Sequence, residues 1–413
     1  MRVLVFEQWQ GGHYFNYLEC LVPRLAHAAD EVVVAITDSA YRSKLLAEQL
    51  GALQALPNVR FDAHVPLPRH AAPVAYRLTL GRHLIDAIKR NSPDYVFLPS
   101  ADEQSIPLPL LAWTLGARRA PVEGVFHYKA YTADRSARER FTSAAERVLL
   151  KTGAFAQLNF VNFLQCEEAM RRNFDLARFA RVAGDPVPQP PLLDRREARA
   201  ALGLKEGGRL LAMIGALDDR KAVLQTLAAF RAARVAPDDR LLLAGKLDPH
   251  YADVVGREYG DLIRTGRLIV FDRFLSDIEL RRCYAAADVN CSVYIDFYGL
   301  SSLMLKSIAA DVPVITGNHG WGSAIVNRFQ VGHCVNPHDP QAYAALLPNA
   351  LDCSVSYVRT SAVERLLRFH SVDNFADGLL ERYRLHAGIA EARSALDWPW
   401  VMQGVDPERR SLR

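Results

Sequence analysis

The run Cys283–Gly322, CYAAADVNCSVYIDFYGLSSLMLKSIAADVPVITGNHGWG, decides how the rest of the chain is read. Its periodicity predicts a helix end, an apolar strand over Val289–Tyr294, a polar turn over Asp296–Ser302 that contains Gly299, a second helix, and a strand over Val312–Thr316. That last strand opens into a loop holding Gly317, Gly320 and Gly322. Such a strand-turn-helix-strand unit gathers polar groups where the first strand ends. In an open parallel sheet those ends face a ligand crevice, and the following helix turns its unpaired N–H groups toward an anion. An anionic ligand is therefore expected here.

Working toward the N-terminus, Leu268–Phe274, Leu241–Gly245 and Arg209–Gly215 read as further strands, and Ser276 with Glu279 forms a capping box that opens the helix leading to Ala286. Gly215-Ala-Leu-Asp-Asp-Arg220-Lys221 then delivers two adjacent cations to the start of a helix. Cations are unfavourable against the positive end of a helix dipole unless an anion sits opposite, and a diphosphate would supply one. A solvated basic turn is the plainer alternative. Upstream, Val182–Arg196 (VAGDPVPQPPLLDRR) is dense in proline, which denies donors to helices and ladders, and reads as a linker. Downstream, Asp339-Pro340 caps another helix, and helices over Val358–Phe369 and Asn374–Arg384 follow, with a loose tail from Pro407.

Before the linker, Met1–Glu7 is an almost continuous apolar run, as a buried parallel strand requires. Gly11-Gly12-His13 then leads into a helix with Tyr14, Tyr17, Leu18, Leu21 and Leu25 on one face. Two residues without a Cβ let backbone N–H groups come close to a phosphate. Strands over Val32–Thr37, Val59–Val65, Tyr95–Pro99, Val122–Phe126 and Leu158–Asn162 alternate with helices, among them Tyr41–Leu53 and Tyr76–Lys89, which implies a parallel sheet covered on both faces. His127 stands just past a strand, beside Tyr128 and Lys129.

Composition narrows the classes. At 413 residues the chain is too long for one ordinary core, and its balance of 50% hydrophobic and 23% charged residues is that of a globular protein. No apolar run approaches the ~20 residues that span a bilayer, and Met1 leads straight into a strand, so a cytoplasmic protein is expected. The six cysteines never form a C-x-x-C pair, and the twelve histidines make no metal motif, so neither a disulfide frame nor a bound metal is expected. A formal charge of +4 without a basic run argues against nucleic acid and suits small anions. Arg135–Lys151 (RSARERFTSAAERVLLK) reads as a basic helix that either contacts acidic lipid at a membrane periphery or simply lies on the surface.

Taken together, these pieces resemble the family-4-like retaining glycosyltransferases of GT-B fold, over most of the chain. The match is carried by Gly11-Gly12, Gly184-Asp185-Pro186, Lys221 at its spacing from Gly215, and an acidic residue before Gly299 followed by a helix and the run from Pro313. The resemblance implies an α/β protein of two Rossmann-like, doubly wound parallel-sheet domains facing a cleft: residues 1–185 on the acceptor side, 186–372 binding a nucleotide sugar, and 373–413 as a helix crossing back and a tail. It implies a donor that is a UDP- or GDP-linked sugar bound as substrate, no cofactor and no metal. The acceptor would be a glycan, a lipid-linked molecule or a small molecule.

By residue, the resemblance places Gly11, Gly12, Arg220, Lys221, Ser301 and Ser302 on the diphosphate. His13, Tyr298 and Gly299 fall on sugar or acceptor, and Gly215, Arg273, Phe274 and Lys306 on the nucleoside. His127, with His13 as competitor, and Asp296 take catalytic places near the transferred sugar. The chain departs from the family's E-x7-E pair. Alignment on Gly299 puts Asp296 in the first place, and alignment on Pro313 puts Lys306 in the second, where three donors and no acceptor cannot grip a diol as a carboxylate does. Gly215-Ala216-Leu217 stands where the commoner pattern has Gly-Arg-Leu. The chain instead resembles a subgroup with a serine-rich turn. Ser301 and Ser302 also suit simple helix capping. Two rival readings stay open: a catalytically degenerate binding or scaffold protein, and a nucleotide-sugar epimerase.

Overall fold

The computed structural model describes every residue except 67–72, 128–143, 147, 173–177, 390–394 and 406–413. Tyr128, Lys129, the greater part of the basic run from Arg135 and the tail from Pro407 therefore lie outside the described residues. The chain forms two compact units, Met1–Pro186 with Phe369–Trp398, and Val187–Arg368 with Pro399–Arg413.

The first unit is built on strands β1 (Arg2–Phe6), β2 (Glu31–Thr37), β3 (Val59–Val65), β4 (Tyr95–Leu98), β5 (Val122–Phe126), β6 (Gln157–Phe160) and β7 (Ala180–Val182). Their order is β3-β2-β1-β4-β5-β6-β7, and every neighbouring pair is parallel. Val3, Leu4 and Val5 are fully buried, which is why β1 reads as a continuous apolar run rather than an alternating one. The order reverses between β1 and β4, so the chain turns both ways from the centre of the sheet. Helix α1 (Gly12–Ala28) follows β1.

The second unit repeats the plan with β8 (Leu210–Ile214), β9 (Arg240–Ala244), β10 (Leu268–Phe271), β11 (Val289–Ser292), β12 (Val314–Gly317) and β13 (Gly332–Val335). The order is β10-β9-β8-β11-β12-β13, again parallel throughout, with the reversal between β8 and β11. Four helices matter below: α2 (Val223–Ala232), α3 (Asp277–Ala286), α4 (Ser302–Ala309) and α5 (Gly320–Phe329). The capping box expected at Ser276 and Glu279 opens α3.

Differences from the sequence reading have local causes. The helix read over Tyr41–Leu53 is two, Asp38–Tyr41 and Lys44–Gln54, because Ser43 caps the second with its side chain on the Leu46 amide. The strand read over Val289–Tyr294 stops at Ser292; Tyr294 leaves the ladder to bridge Lys221 instead. Strands β7 and β13 are short edge strands, too brief for periodicity to reveal.

Candidate functional site

The second unit brings its polar residues together at the reversal between β8 and β11. Gly215 follows β8 at φ 103°, and a Cβ there would stand 2.5 Å from Leu303 Cδ1 and 3.2 Å from Lys221 Nζ. Only glycine suits both the backbone and the space. The loop from Ala216 to Ala222 is then stitched to the loop after β11. Ile295 N donates to Arg220 O at 2.8 Å, Ala222 N donates to Val293 O at 3.2 Å, and Lys221 bridges Tyr294.

This stitching separates the two cations. Lys221 is 4% exposed, donates from Nζ to the Ile214 carbonyl, and lies 5.7 Å from the centre of the Tyr294 ring. Burial pulls its pKa down to about 7; the Asp218 carboxylate opposes that shift and the Arg220 guanidinium adds to it. Arg220 points the other way, its side chain 62% exposed and bound to Asp218 at 2.7 Å. Part of the counter-charge that the sequence argument demanded thus comes from Asp218 itself. Helix α2 starts only at Val223, with no side-chain cap and no acid in its first turn.

The serine-rich turn forms the opposite wall. Ser301 caps α4, accepting the Met304 amide at 3.3 Å, and shares a 3.0 Å hydrogen bond with the Tyr294 hydroxyl. Ser302 is the first residue of that helix, and Lys306 lies in its last turn. Asp296 is exposed and holds φ 52°, a left-handed conformation that costs a non-glycine residue about 1–2 kcal/mol. Gly299 packs under Phe297, whose Cζ would be 2.7 Å from an added Cβ.

The loop after β12 completes the site with residues that the sequence reading did not nominate. The His319 ring lies 4.9 Å from the ring of Tyr298. Gly320, at φ 71°, brings its backbone so close that a Cβ would stand 2.8 Å from Tyr298 Cα. A pocket results, lined by Tyr294, Phe297, Ser301, Met304, Thr316 and His319 with Gly299, Gly317 and Gly322 between them. The glycine-spaced loop after a strand was the available signal for His319 and Thr316. Arg273 and Phe274 follow β10, two strands from β8 and so about 10 Å along the sheet. Arg273 is held by Glu279 at 2.6 Å, and Phe274 is 85% exposed.

In the first unit Gly11 takes φ 80° before α1, whose first turn carries no acid and no side-chain cap. Gly12 and His13 open that helix; their side chains are outside the described residues. His127 is buried at 7% exposure. Its Nε2 lies 2.8 Å from the Pro99 carbonyl and so carries the proton, its Nδ1 lies 3.5 Å from the Tyr17 hydroxyl, and its amide donates to Asp102 at 2.9 Å. A sugar hydroxyl accepting the Nε2 proton of His127 would have to displace the Pro99 carbonyl. Tyr17 donates in turn to Asp185, whose amide donates to His370 Nδ1 at 2.8 Å. Sequence reading also missed Glu7 at the end of β1. Burial raises its pKa to about 8, against the Trp9 amide that donates to it at 2.9 Å.

Among the described residues no group of three or more His, Cys, Asp or Glu side chains is placed to hold a metal ion. No helix of the described residues is long and apolar enough to cross a membrane.

Known proteins share both the segment and the architecture. Residues 208–352, within the second unit, match the family model described as glycosyl transferases group 1. A D-inositol 3-phosphate glycosyltransferase of Mycolicibacterium vanbaalenii is 28% identical over 300 residues, covering 68% of this chain and 62% of that protein. One of Mycolicibacterium gilvum is 30% identical over 195 residues, covering 45% and 42%. The chain thus matches less than two thirds of each relative's length. Among solved structures, HepE of Anabaena in complex with UDP superposes with a TM-score of 0.66 at 15% identity, covering 93% of this chain and all of that one. Sucrose-phosphate synthase of Thermosynechococcus elongatus gives 0.64 at 17% identity, covering 94% and 98%. These likenesses establish the fold, two parallel-sheet Rossmann-like domains as in GT-B glycosyltransferases.

Proposed function

We propose that this chain moves a sugar from a nucleotide-diphosphate donor to an acceptor hydroxyl, with retention of configuration and without a metal ion. The observation that carries the reading is Lys221: a buried ammonium at the reversal of the second sheet, inside the segment that matches the group 1 model, with one carbonyl as its hydrogen-bond partner. An ammonium has three donors, and a diphosphate beside it would take the remaining ones.

The chemistry follows from charge. The diphosphate gains negative charge as it leaves, so groups that meet it lower the barrier most when they are already in place. Lys221 is fixed by its loop. Arg220 joins by exchanging Asp218 for phosphate, and the N-termini of α4 at Ser302 and α5 at Gly320 add backbone N–H groups. Gly11 and Gly12 offer the same kind of donors in the first unit. Tyr298 and Gly299 are assigned to the sugar, and Asp296 to orienting one of its hydroxyls. Among the described residues, those that line the pocket include no carboxylate to act as a nucleophile. Transfer on one face, with the leaving phosphate taking the acceptor proton, is the route these residues support.

The relatives are named for an inositol phosphate acceptor, which makes phosphorylated polyols the first acceptors to try. Release of UDP or GDP from donor sugars, followed with and without EDTA, tests the reading, and the anomeric proton of the product tests retention. The Lys221→Ala variant is expected to lose at least a hundredfold in turnover while keeping its fold. Turnover at the wild-type rate in that variant would remove the phosphate assignment. Binding without turnover favours the scaffold reading, to which Lys306 in place of a diol-gripping carboxylate lends its weight.

A further inference from the structure

The loop that leaves β1 holds buried polar atoms that nothing satisfies. Glu7, the first residue past the strand, is 1% exposed, and Gln8 is 6% exposed. Glu7 Oε1 accepts the Trp9 amide at 2.9 Å, but Glu7 Oε2, Gln8 Oε1 and Ser100 Oγ beside them have no hydrogen-bond partner among the described residues. Each atom left so favours any arrangement of the loop that wets it. The groups that act on the Glu7 carboxyl are the Trp9 and Gln8 amides and the Ser100 hydroxyl, none of them charged. Charged side chains of the surrounding elements are engaged elsewhere. Asp38 after β2 holds Arg42 at 2.8 Å, and Lys44, beside the Leu45 that packs on Gly11, lies 3.4 Å from Glu48. Asp102 after β4 accepts the amide of His127, the titratable residue after β5, at 2.9 Å.

Burial thus keeps the carboxyl neutral, its pKa raised from the usual 4.5 to about 8. Wetting the side chain returns it to the usual value, so opening the loop releases a proton. The loop ends at Gly11, whose φ of 80° turns the chain into α1. We propose that Glu7 is a proton-operated latch on the loop from Gln8 to Gly11: the neutral carboxyl keeps the loop closed, and loss of its proton frees the loop together with the glycine turn that opens α1. That turn is the one assigned to the donor diphosphate, so the effect on binding rests on that reading, whereas the latch does not.

The Trp9 amide reports the latch directly, because its acceptor is Glu7. The test follows hydrogen exchange in the full chain with its five tryptophans isotope-labelled. Protection of the Trp9 amide, corrected for the intrinsic exchange rate, should fall about tenfold per unit from pH 6 to 8 and level off above that. The Trp321 amide, bonded to the Tyr298 carbonyl in the second unit, should not follow it. Glu7→Gln, which cannot ionise, should hold Trp9 protection level over the same range. If that variant melts early, the comparison of Trp9 with Trp321 in the wild type decides alone. Flat protection in the wild type, a slope shared by Trp321, or the same slope in Glu7→Gln would overturn the latch. UDP at about ten times its dissociation constant, added at pH 8, should raise Trp9 protection about tenfold by holding the turn closed. Protection unchanged while calorimetry shows UDP bound would remove Gly11 and Gly12 from the diphosphate and leave the latch standing.

Discussion

Lys221 shows how one side chain ties stability to function. Its ammonium is held out of water by a single carbonyl and an aromatic ring, and its pKa falls from the ordinary lysine value of 10.5 to about 7. Between those values the unfolded chain binds the proton that the folded chain has released, so this residue makes stability rise with pH across the window from 7 to 10.5. The slope approaches about 1.4 kcal/mol per pH unit in the middle of that window. Lys221→Met should flatten that portion of the curve, read by urea unfolding at pH 7.5 and 9.5. The same substitution should stabilise the protein at neutral pH and still abolish turnover, because a charge kept at a cost is kept for a ligand. A variant that loses stability and keeps turnover would make Lys221 a structural residue.

The elements around the pocket depend on two joints. Ser301 starts α4 and holds the Tyr294 hydroxyl, and its replacement by alanine should cost about 1 kcal/mol, visible as an earlier thermal transition. Gly320 lets the loop after β12 press against Tyr298, so alanine there meets both a left-handed backbone and the Tyr298 Cα. That change should cost about 1–2 kcal/mol from the backbone alone, and donor affinity should fall with it, because Tyr298 and His319 would be pushed apart. Ser301→Ala with unchanged melting, or Gly320→Ala with unchanged donor affinity, would show that the joints do not set the pocket. Both residues stood out in the sequence, Ser301 as a cap and Gly320 as one glycine of a loop. What they press against lies a loop away and could not be read.

At the scale of the whole molecule the chain leaves the first unit after Pro186 and re-enters it at Phe369, and the residues beside these crossings meet within that unit. Gly184 has no room for a Cβ against the Phe369 carbonyl, and the Asp185 amide donates to His370. Burial drops the His370 pKa to about 3. Folded His370 stays neutral while the unfolded chain takes up a proton below the ordinary value of 6.5. Its contribution is therefore complete above that value and drains away as pH falls from 6.5 toward 3. Urea unfolding at pH 7 and pH 5 should show a drop that His370→Gln reduces; equal drops in both proteins would place the acid sensitivity elsewhere.

The sequence by itself determined the alternation of strands and helices, the two sheets, the proline-rich passage between them, and the gathering of glycines and hydroxyls at the ends of β11 and β12. Those features are written in local periodicity and in the backbone limits of glycine and proline, which no distant contact overrides. Only the tertiary structure decided that Arg220 and Lys221 part company, one on Asp218 in solvent and one beneath Tyr294. It also decided that both ring nitrogens of His127 face partners from its own unit, and that Glu7 is a buried acid. Lys221 and His127 turn on partners from beyond other strands, the Tyr294 ring after β11 and the Pro99 carbonyl after β4. Burial and charge depend on what the sheet order brings alongside, and neighbours in a parallel sheet lie far apart in the chain.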